Sequence, residues 1–470
     1  MRDCEFICAL AHHYTGFDYP QQRLETIWKE ALLYQFHDIL PGSSIKRVYD
    51  ESVPRYRALL KEVEEITARA SLAFAKDLTI GENEVLAVNT QPFDRTVPLS
   101  DNLSAQVPAY GWSAIGTATA QAQKSDVTVG DRLLENSLLK VQLDEHGNLA
   151  SVFDKQMNRE VLNRERSGTN LVIYEDNGDC WDIDFTYADK KPYTPVLVGC
   201  ETIVEKNGMQ FTYSYNQSTI VQRVSLAPFS KKLVFHTDVE WQETNRMLRT
   251  RFPVDIRADE ADCNIQFGYI KRPTHQNTSW DYAKFEVCAH KWVSISENGY
   301  GVALINDCKY GFKVWDNVLD VNLLRSPMYP GVDADKGSHS FDYELMVHDG
   351  TIGEVNREGY LFNSPALRCN PLPSQGSLHK SASFLSVDQS NVLVEALKLS
   401  EDGDGYILRL YEAENRYTNA RITADGLKQA ILTDMIERPL EPLQVEESSF
   451  ELLFKPFEIH TVKILCEIAK

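Results

Sequence analysis

The sequence predicts an α+β fold that is mostly β: an N-terminal three-helix bundle followed by antiparallel β-sandwich domains. Apolar residues recur at helical spacing through roughly the first 77 residues. From about residue 84 they alternate with polar residues, in short runs bounded by turn residues. No regular succession of strand and helix follows, which argues against a parallel α/β sheet. At 470 residues the chain also exceeds the ~250–300 at which a single core stops growing, so several units are expected.

The first helix spans Arg2 to Tyr14 and is closed by Thr15-Gly16. Pro20, at the early position proline favours, opens a second helix. The pattern carries it to Leu40, where Pro41-Gly42-Ser43-Ser44 stops it. A third helix runs from Ile45 to Lys76, with Ser52-Val53-Pro54 as its kink. Short connections make the three antiparallel neighbours. Strands are expected at Val85 to Val88, Ala105 to Val107, Leu139 to Leu143 and Leu149 to Phe153, the last two joined by the turn His146-Gly147-Asn148. Lys232 to Trp241, Val392 to Leu399, Tyr406 to Tyr411 and Ile459 to Leu465 alternate as well. Asn370 to Ser377 reads as a linker. The expected division is a helix bundle at 1–77, a small β domain at 78–125, a large β domain at 126–368 and a C-terminal β-sandwich at 369–470.

Lys and Arg number 48 against 68 Asp and Glu, a formal charge of −20. Such a surface has no electrostatic reason to bind nucleic acid or an anionic membrane. Residues 1–75 hold nine basic and eleven acidic side chains, so nearly all the excess lies on the β region. That suits neutral sugars or cations and disfavours phosphates. Aromatics, at 10%, favour β structure and suit sugar binding. No run of 18 apolar residues occurs, and Met1 to Glu5 does not read as a secretory signal. The nine cysteines are odd in number, widely spaced and without a CxxC pair, so free thiols in the cytoplasm are expected. Cys4 and Cys8, one helical turn apart, read as small core residues rather than metal ligands.

The second helix carries two apolar stripes. Leu24, Ile27, Trp28, Ala31 and Gln35 form one; Leu33, His37 and Leu40 form the other, with His37 roughly opposite Trp28. The bundle covers one stripe, and something else must cover His37. A neutral imidazole is a good zinc ligand and the adjacent Asp38 carboxylate can hold hydroxyls. On the residues alone, a structural His and a solvated Asp remain open, because zinc needs three or four ligands and no other His or Cys stands nearby at ligand spacing.

The run from Leu32 to Ile45, LLYQFHDILPGSSI, closely resembles the helix-bundle motif of glycoside hydrolase family 38, the retaining α-mannosidases. Gly268 to His275, Phe285-Glu286-Val287, His290-Lys291-Trp292, Gly301 to Gly311 and Asn322 to Pro327 look like the same family, in the order of its cytosolic and bacterial branch. The resemblance implies an N-terminal α/β barrel, then a three-helix bundle, then β-sandwich domains, the largest a mutarotase-like super-sandwich. It implies a divalent metal, zinc with cobalt as the alternative. The ligands would be a His-x-Asp, a second Asp that is also the nucleophile, and a bundle His, which by motif is His37. Asp38 would hold sugar hydroxyls.

The expected function is therefore the middle and C-terminal domains of a retaining, zinc-dependent α-mannosidase acting on α-mannoside oligosaccharides. Retaining hydrolysis needs one carboxylate as nucleophile and another as acid/base. A zinc on vicinal mannose hydroxyls would orient the ring and stabilise developing charge. In the family the barrel precedes the His37 motif by several hundred residues, so no catalytic residue can be carried onto this chain. The metal site here is then incomplete, the chain alone is expected to be inactive, and the barrel is expected as a partner in cis or in trans. His37 and Leu33 should face solvent or a second copy of the chain. His236-Thr237-Asp238 has the letters of a His-x-Asp but lies on an alternating strand, and is read as coincidence.

Asp176 to Asp184 is polar and turn-rich, and lies where family members extend a loop towards the sugar. Trp181 would contact the pyranose, and Asp182 or Asp184 would hold hydroxyls; a surface loop with a packed Trp is the alternative. Asn306 to Gly311 resembles a loop approaching the same site, with Asp307 and Lys309 as hydroxyl or carboxylate partners; a β-turn with a salt bridge is the alternative. Arg325 reads as a buried structural Arg and His290-Lys291-Trp292 as domain packing. Two other functions compete. One is a stand-alone carbohydrate-binding β-sandwich protein. The other, from the super-sandwich alone, is an epimerase with a His and a Glu facing across a concave sheet, for which His275, His290 and Glu286 are the nearest candidates.

Overall fold

A computed structural model describes residues 1–100, 103–116, 120–122, 125–163, 165 and 170–467. Two units are recognisable. Met1–Gln35, Glu51–Lys124 and Ser364–Lys470 form the first; Phe36–Asp50 and Ser125–Asn363 form the second.

The first unit contains α1 (Arg2–Thr15), α2 (Gln21–Leu33) and most of α3 (Lys46–Ala75). α1 ends where Gly16 adopts φ 67°, a left-handed conformation that costs glycine little; its amide donates to the His12 carbonyl at 3.1 Å and the Phe17 amide to that of Ala11 at 3.3 Å. Phe6, Ile7, Cys8 and Leu10 of α1 bury against Leu24 and Ile27 of α2 and Ile66 and Phe74 of α3. Polar ties fix the helices at their edges. Trp28 Nε1–H donates to Glu5 Oε1 at 3.0 Å, Arg55 binds Glu30 through two nitrogens, and Arg23 pairs with Glu62. Pro54 lies inside α3, and the helix continues through it.

The same unit carries antiparallel sheets. Val85–Asn89 pairs with Leu367–Cys369 on one side and Gly111–Ile115 on the other. The C-terminal stretch supplies a three-stranded and a five-stranded sheet. Their inward residues, among them Val392, Val394, Leu408, Ile422, Phe450 and Ile464, join the core that the helices line. The stretch expected as a linker is tied down instead: Ser374–Gln375 pairs with Thr79–Ile80.

The second unit is built on a nine-stranded and two five-stranded antiparallel sheets. Lys232–Trp241 shows why alternation there is a reliable signal. Leu233, Phe235, Thr237, Val239 and Trp241 are buried, while the residues between them are at least partly exposed. The strand pairs with Ser218–Leu226 and with Gly337–His348, so its register is fixed on both sides. Phe235 and Tyr343, directly paired, stack at 4.9 Å between ring centroids. One helix, Ile352–Asn363, covers the far face of the large sheet, where Val355 packs with Trp292, Ala303, Ile305 and Met346.

α2 is where expectation and structure part. The apolar pattern predicts a helix to Leu40, yet it stops at Leu33, and residues 34–42 form successive turns. Side-chain hydroxyls fasten the backbone of these turns. Ser44 Oγ donates to the Asp38 carbonyl at 2.7 Å and the Tyr49 hydroxyl donates to it at 3.1 Å, while Tyr49 accepts the Ser44 amide at 2.9 Å. His37 therefore sits on a turn, and its helical relation to Trp28 does not hold.

Candidate functional site

The turn presents two neighbouring polar side chains. His37 is 79% exposed, its ring 4.1 Å from that of Phe36, with Nε2 3.7 Å from Asp38 Oδ2. The other Asp38 carboxylate oxygen, Oδ1, accepts from Ser43 Oγ at 3.2 Å and from Trp181 Nε1–H at 3.1 Å. Asp38 and Trp181 are 143 residues apart, and this contact is what joins the motif turn to the Asp176–Asp184 loop. Phe36, Leu40 and Ile45 beside it are 51%, 64% and 56% exposed, an unusual concentration of uncovered apolar surface. Leu33, at the end of α2, is 65% exposed.

The loop is rigid for identifiable reasons. Asp179 Oδ1 accepts the amides of Trp181 and Asp182, at 2.9 and 3.0 Å, and these donors hold its carboxyl below the usual carboxylate range. Asp184 is likewise held low by the amide and hydroxyl of Thr186. Arg325 clamps the whole loop. Its guanidinium makes a two-point contact with buried Asp176, at 2.5 and 3.1 Å, and donates to the carbonyls of Asp179 and Asp182, both at 2.8 Å. Gly178 permits this approach, since a Cβ there would lie 2.1 Å from the Asp182 carbonyl oxygen. Tyr329 completes the arrangement: its carbonyl accepts the Cys180 amide, and its ring lies 5.8 Å from that of Trp181. A cavity of about 630 Å³ follows, lined by Asp179, Asp182, Phe185, Phe285 and Tyr329 among others.

Of the residues singled out from sequence, the structure thus brings Asp38, Trp181 and Asp182 onto one surface, with His37 beside Asp38. Asp307 and Lys309 are engaged elsewhere. Asp307 Oδ2 accepts the Asp342 amide at 3.1 Å, and Lys309 Nζ lies 4.3 Å from the centre of the Phe341 ring. Tyr329, Arg325, Ser44 and Tyr49 were not singled out as site residues. Only Arg325 carries a sequence signal, a charge beside Leu323 and Leu324.

Three family models cover most of the chain. The Alpha mannosidase middle domain matches residues 1–73, the Glycosyl hydrolases family 38 C-terminal domain residues 134–333, and the family 38 C-terminal beta sandwich domain residues 391–462. The chain belongs to glycosyl hydrolase family 38. Among similar curated proteins, Alpha-mannosidase 2C1 of Homo sapiens is 31% identical over 99% of this chain and 48% of its own length. Alpha-mannosidase G of Dictyostelium discoideum is 29% identical over 96% of this chain and 48% of its own. The chain thus spans about half the length of these curated relatives. An α-mannosidase structure from Enterococcus faecalis superposes with a TM-score of 0.83, at 14% identity, over 98% of this chain and 65% of that one. That likeness shows the same fold.

Family 38 membership raises the question of a metal. His37 offers an exposed imidazole and Asp38 a carboxylate oxygen, but among the described residues no third His, Cys, Asp or Glu joins them. Two donors fit a site that other residues complete, not a closed one. The three-residue grouping that does occur, His348, Asp349 and Glu354, is structural. His348 Nδ1 accepts the Gly350 amide and Nε2 bonds Ser294 Oγ, so neither nitrogen is available. His236 contacts Asp342 through Nδ1 and Asp238 through Nε2, so each ring nitrogen faces a different carboxylate and the two do not converge on a common metal position.

The epimerase candidates are not assembled. Glu286 is paired with buried Arg249 and accepts from the Tyr187 hydroxyl at 2.6 Å. His275 lies near Asp281, and His290 packs on Tyr310.

Proposed function

We propose that this chain forms the middle and C-terminal domains of a retaining, zinc-dependent α-mannosidase of the cytoplasm. One observation carries the reading: the family motif presents an exposed imidazole and a partly exposed carboxylate, braced by Trp181 and without a third ligand among the described residues. His37 is one ligand of a divalent metal, zinc or cobalt, whose remaining ligands come from a further segment. When bound, such a metal supplies Lewis-acid stabilisation and orients sugar hydroxyls. Asp38 keeps Oδ2 free of the Ser43 and Trp181 donors and offers it to a mannose hydroxyl. Trp181, half exposed, fixes Asp38 with its indole N–H and presents its ring to the pyranose. Asp182 lines the adjoining cavity, where further hydroxyls of an α-mannoside oligosaccharide would lie. Asp307 and Lys309, held against Asp342 and Phe341, stand outside the proposed sugar contacts.

The nucleophile and the acid/base belong, on this reading, to the part of the relatives that this chain does not match. The names of the relatives support the substrate class, and nine free cysteines support a reducing compartment. The test is an aryl α-mannoside assay with zinc or cobalt present. The homogeneous chain should be inactive, and the chain extended by a family barrel should hydrolyse the substrate. In that extended protein His37→Ala should abolish metal retention. Robust hydrolysis by the chain alone, or full metal retention in H37A, would overturn the reading.

A further inference from the structure

A second cavity, of about 500 Å³, opens on the sheet that contains Leu171–Glu175, Arg246–Pro253 and Val318–Arg325. Neither His37, Asp38 nor Trp181 lines it. Its size is that of a small-molecule site. Aromatic rings wall it. Tyr174 and Tyr187 are buried, and Trp315 stacks on Tyr282 with 5.8 Å between centroids and 27° between planes.

Its polar groups divide into satisfied and unsatisfied ones. Arg251 and Asp320 form an ion pair, with Nε 3.2 Å from Oδ2 but outside hydrogen-bond geometry, and Arg251 Nη1 donates to the Tyr174 hydroxyl at 3.2 Å. Lys313 is different. Its Nζ lies 4.8 Å from the Trp315 ring centre and 5.1 Å from that of Tyr187, and makes no hydrogen bond or ion pair among the described residues. Burial holds its ammonium below the usual lysine range, as expected where no acceptor compensates desolvation. Trp315, 9% exposed, has a buried Nε1–H without an acceptor. Two donors left open between aromatic walls are costly to a fold unless an incoming oxygen engages them.

The ligand class follows from these features. A pyranose presents an apolar face of C–H groups and a rim of oxygens, matching ring walls with donors between them. Charge selects further. Arg249, Arg251 and Lys313 stand against Glu286 and Asp320, with Asp189 and Asp316 at the rim, so cations and carboxylates nearly balance and no excess of positive charge calls for an anion. We propose that this cavity binds one neutral pyranose residue, as a site separate from the one at Asp38.

The experiment is calorimetric titration of the full chain carrying Asp38→Asn, which weakens any binding at the other site. The probes are methyl α-mannopyranoside, methyl β-galactopyranoside, glucuronate and mannose 6-phosphate. A neutral glycoside should bind with a Kd in the ~millimolar range. Lys313→Met, which keeps the apolar stem, should weaken it about tenfold. Tyr282→Ala should weaken it about fivefold, and because Tyr282 is 44% exposed this variant should fold even if changes deeper in the cavity do not. Absence of binding by both neutral glycosides, or undiminished binding in both variants, overturns the proposal. So does binding confined to glucuronate or mannose 6-phosphate.

Discussion

Replacing Arg325 by Met should unlock the loop that carries Trp181. The guanidinium is 14% exposed and its partner Asp176 is fully buried. The substitution removes four hydrogen bonds, two to that carboxylate and two to loop carbonyls. Breaking one side of a buried ion pair costs about 3–5 kcal/mol, because the remaining charge is left unpaired. The carbonyl bonds overlap with that figure rather than adding to it, since the same groups move together. Local opening should therefore become easier by about 4 kcal/mol, a roughly thousand-fold change in its equilibrium. Hydrogen exchange followed by mass spectrometry on peptides covering 176–184 reads this directly, with urea unfolding as the global reference. The amides of Gly178, Cys180, Trp181 and Asp182 report on it, since each bonds within the clamp. A double variant, Asp176→Leu with Arg325→Met, should recover most of the loss. Exchange in R325M within tenfold of the parent would refute the clamp, as would a double variant no better than the single one.

Four further outcomes are expected. His348 is buried, and desolvation lowers its pKa to about 4. The native state thus holds fewer protons than the unfolded chain between pH 4 and 6.5, and stability should fall by about 3 kcal/mol as pH drops through that window; His348→Gln should flatten this part of a urea-midpoint profile. Burial raises the Glu344 carboxyl to about 8, with nearby Lys232 opposing, so stability should decline as pH rises from 4.5 to 8. Glu344→Gln should raise the urea midpoint at pH 9 and leave it unchanged at pH 4. Gly16→Ala should destabilise the first unit by about 1 kcal/mol in thermal unfolding, because φ is 67° there and no neighbouring atom lies within 4 Å of the new methyl. Gly178→Ala should mimic R325M in the exchange experiment, since its Cβ would strike the Asp182 carbonyl.

Much of the fold is legible in the sequence because its signals are local. α1 and α3 lie within a residue or so of their expected ends, and the hairpin at residues 139–154 appears as written. The end of α2 was misread because periodicity counts apolar residues only. Ser44 and Tyr49 hold the Asp38 carbonyl in the turns that replace the last part of the helix, and those residues lie beyond the periodic run. At the site, His37 and Asp38 were legible through one contiguous motif. Arg325 was visible only as an oddly placed charge, and its partner Asp176 lies 149 positions away.

The sequence by itself determined the class of fold, the acidic surface, the family and the two motif residues, all properties of composition or of a few adjacent positions. Tertiary structure decided which polar groups meet. Asp38 with Trp181, Arg325 with Asp176, and fully buried Arg249 with Asp320 and Glu286 are pairings across many strands. No local spacing encodes such pairs. They form because a buried charge or polar group must find a partner, and the packing of turns, loops and strands determines which partner is within reach.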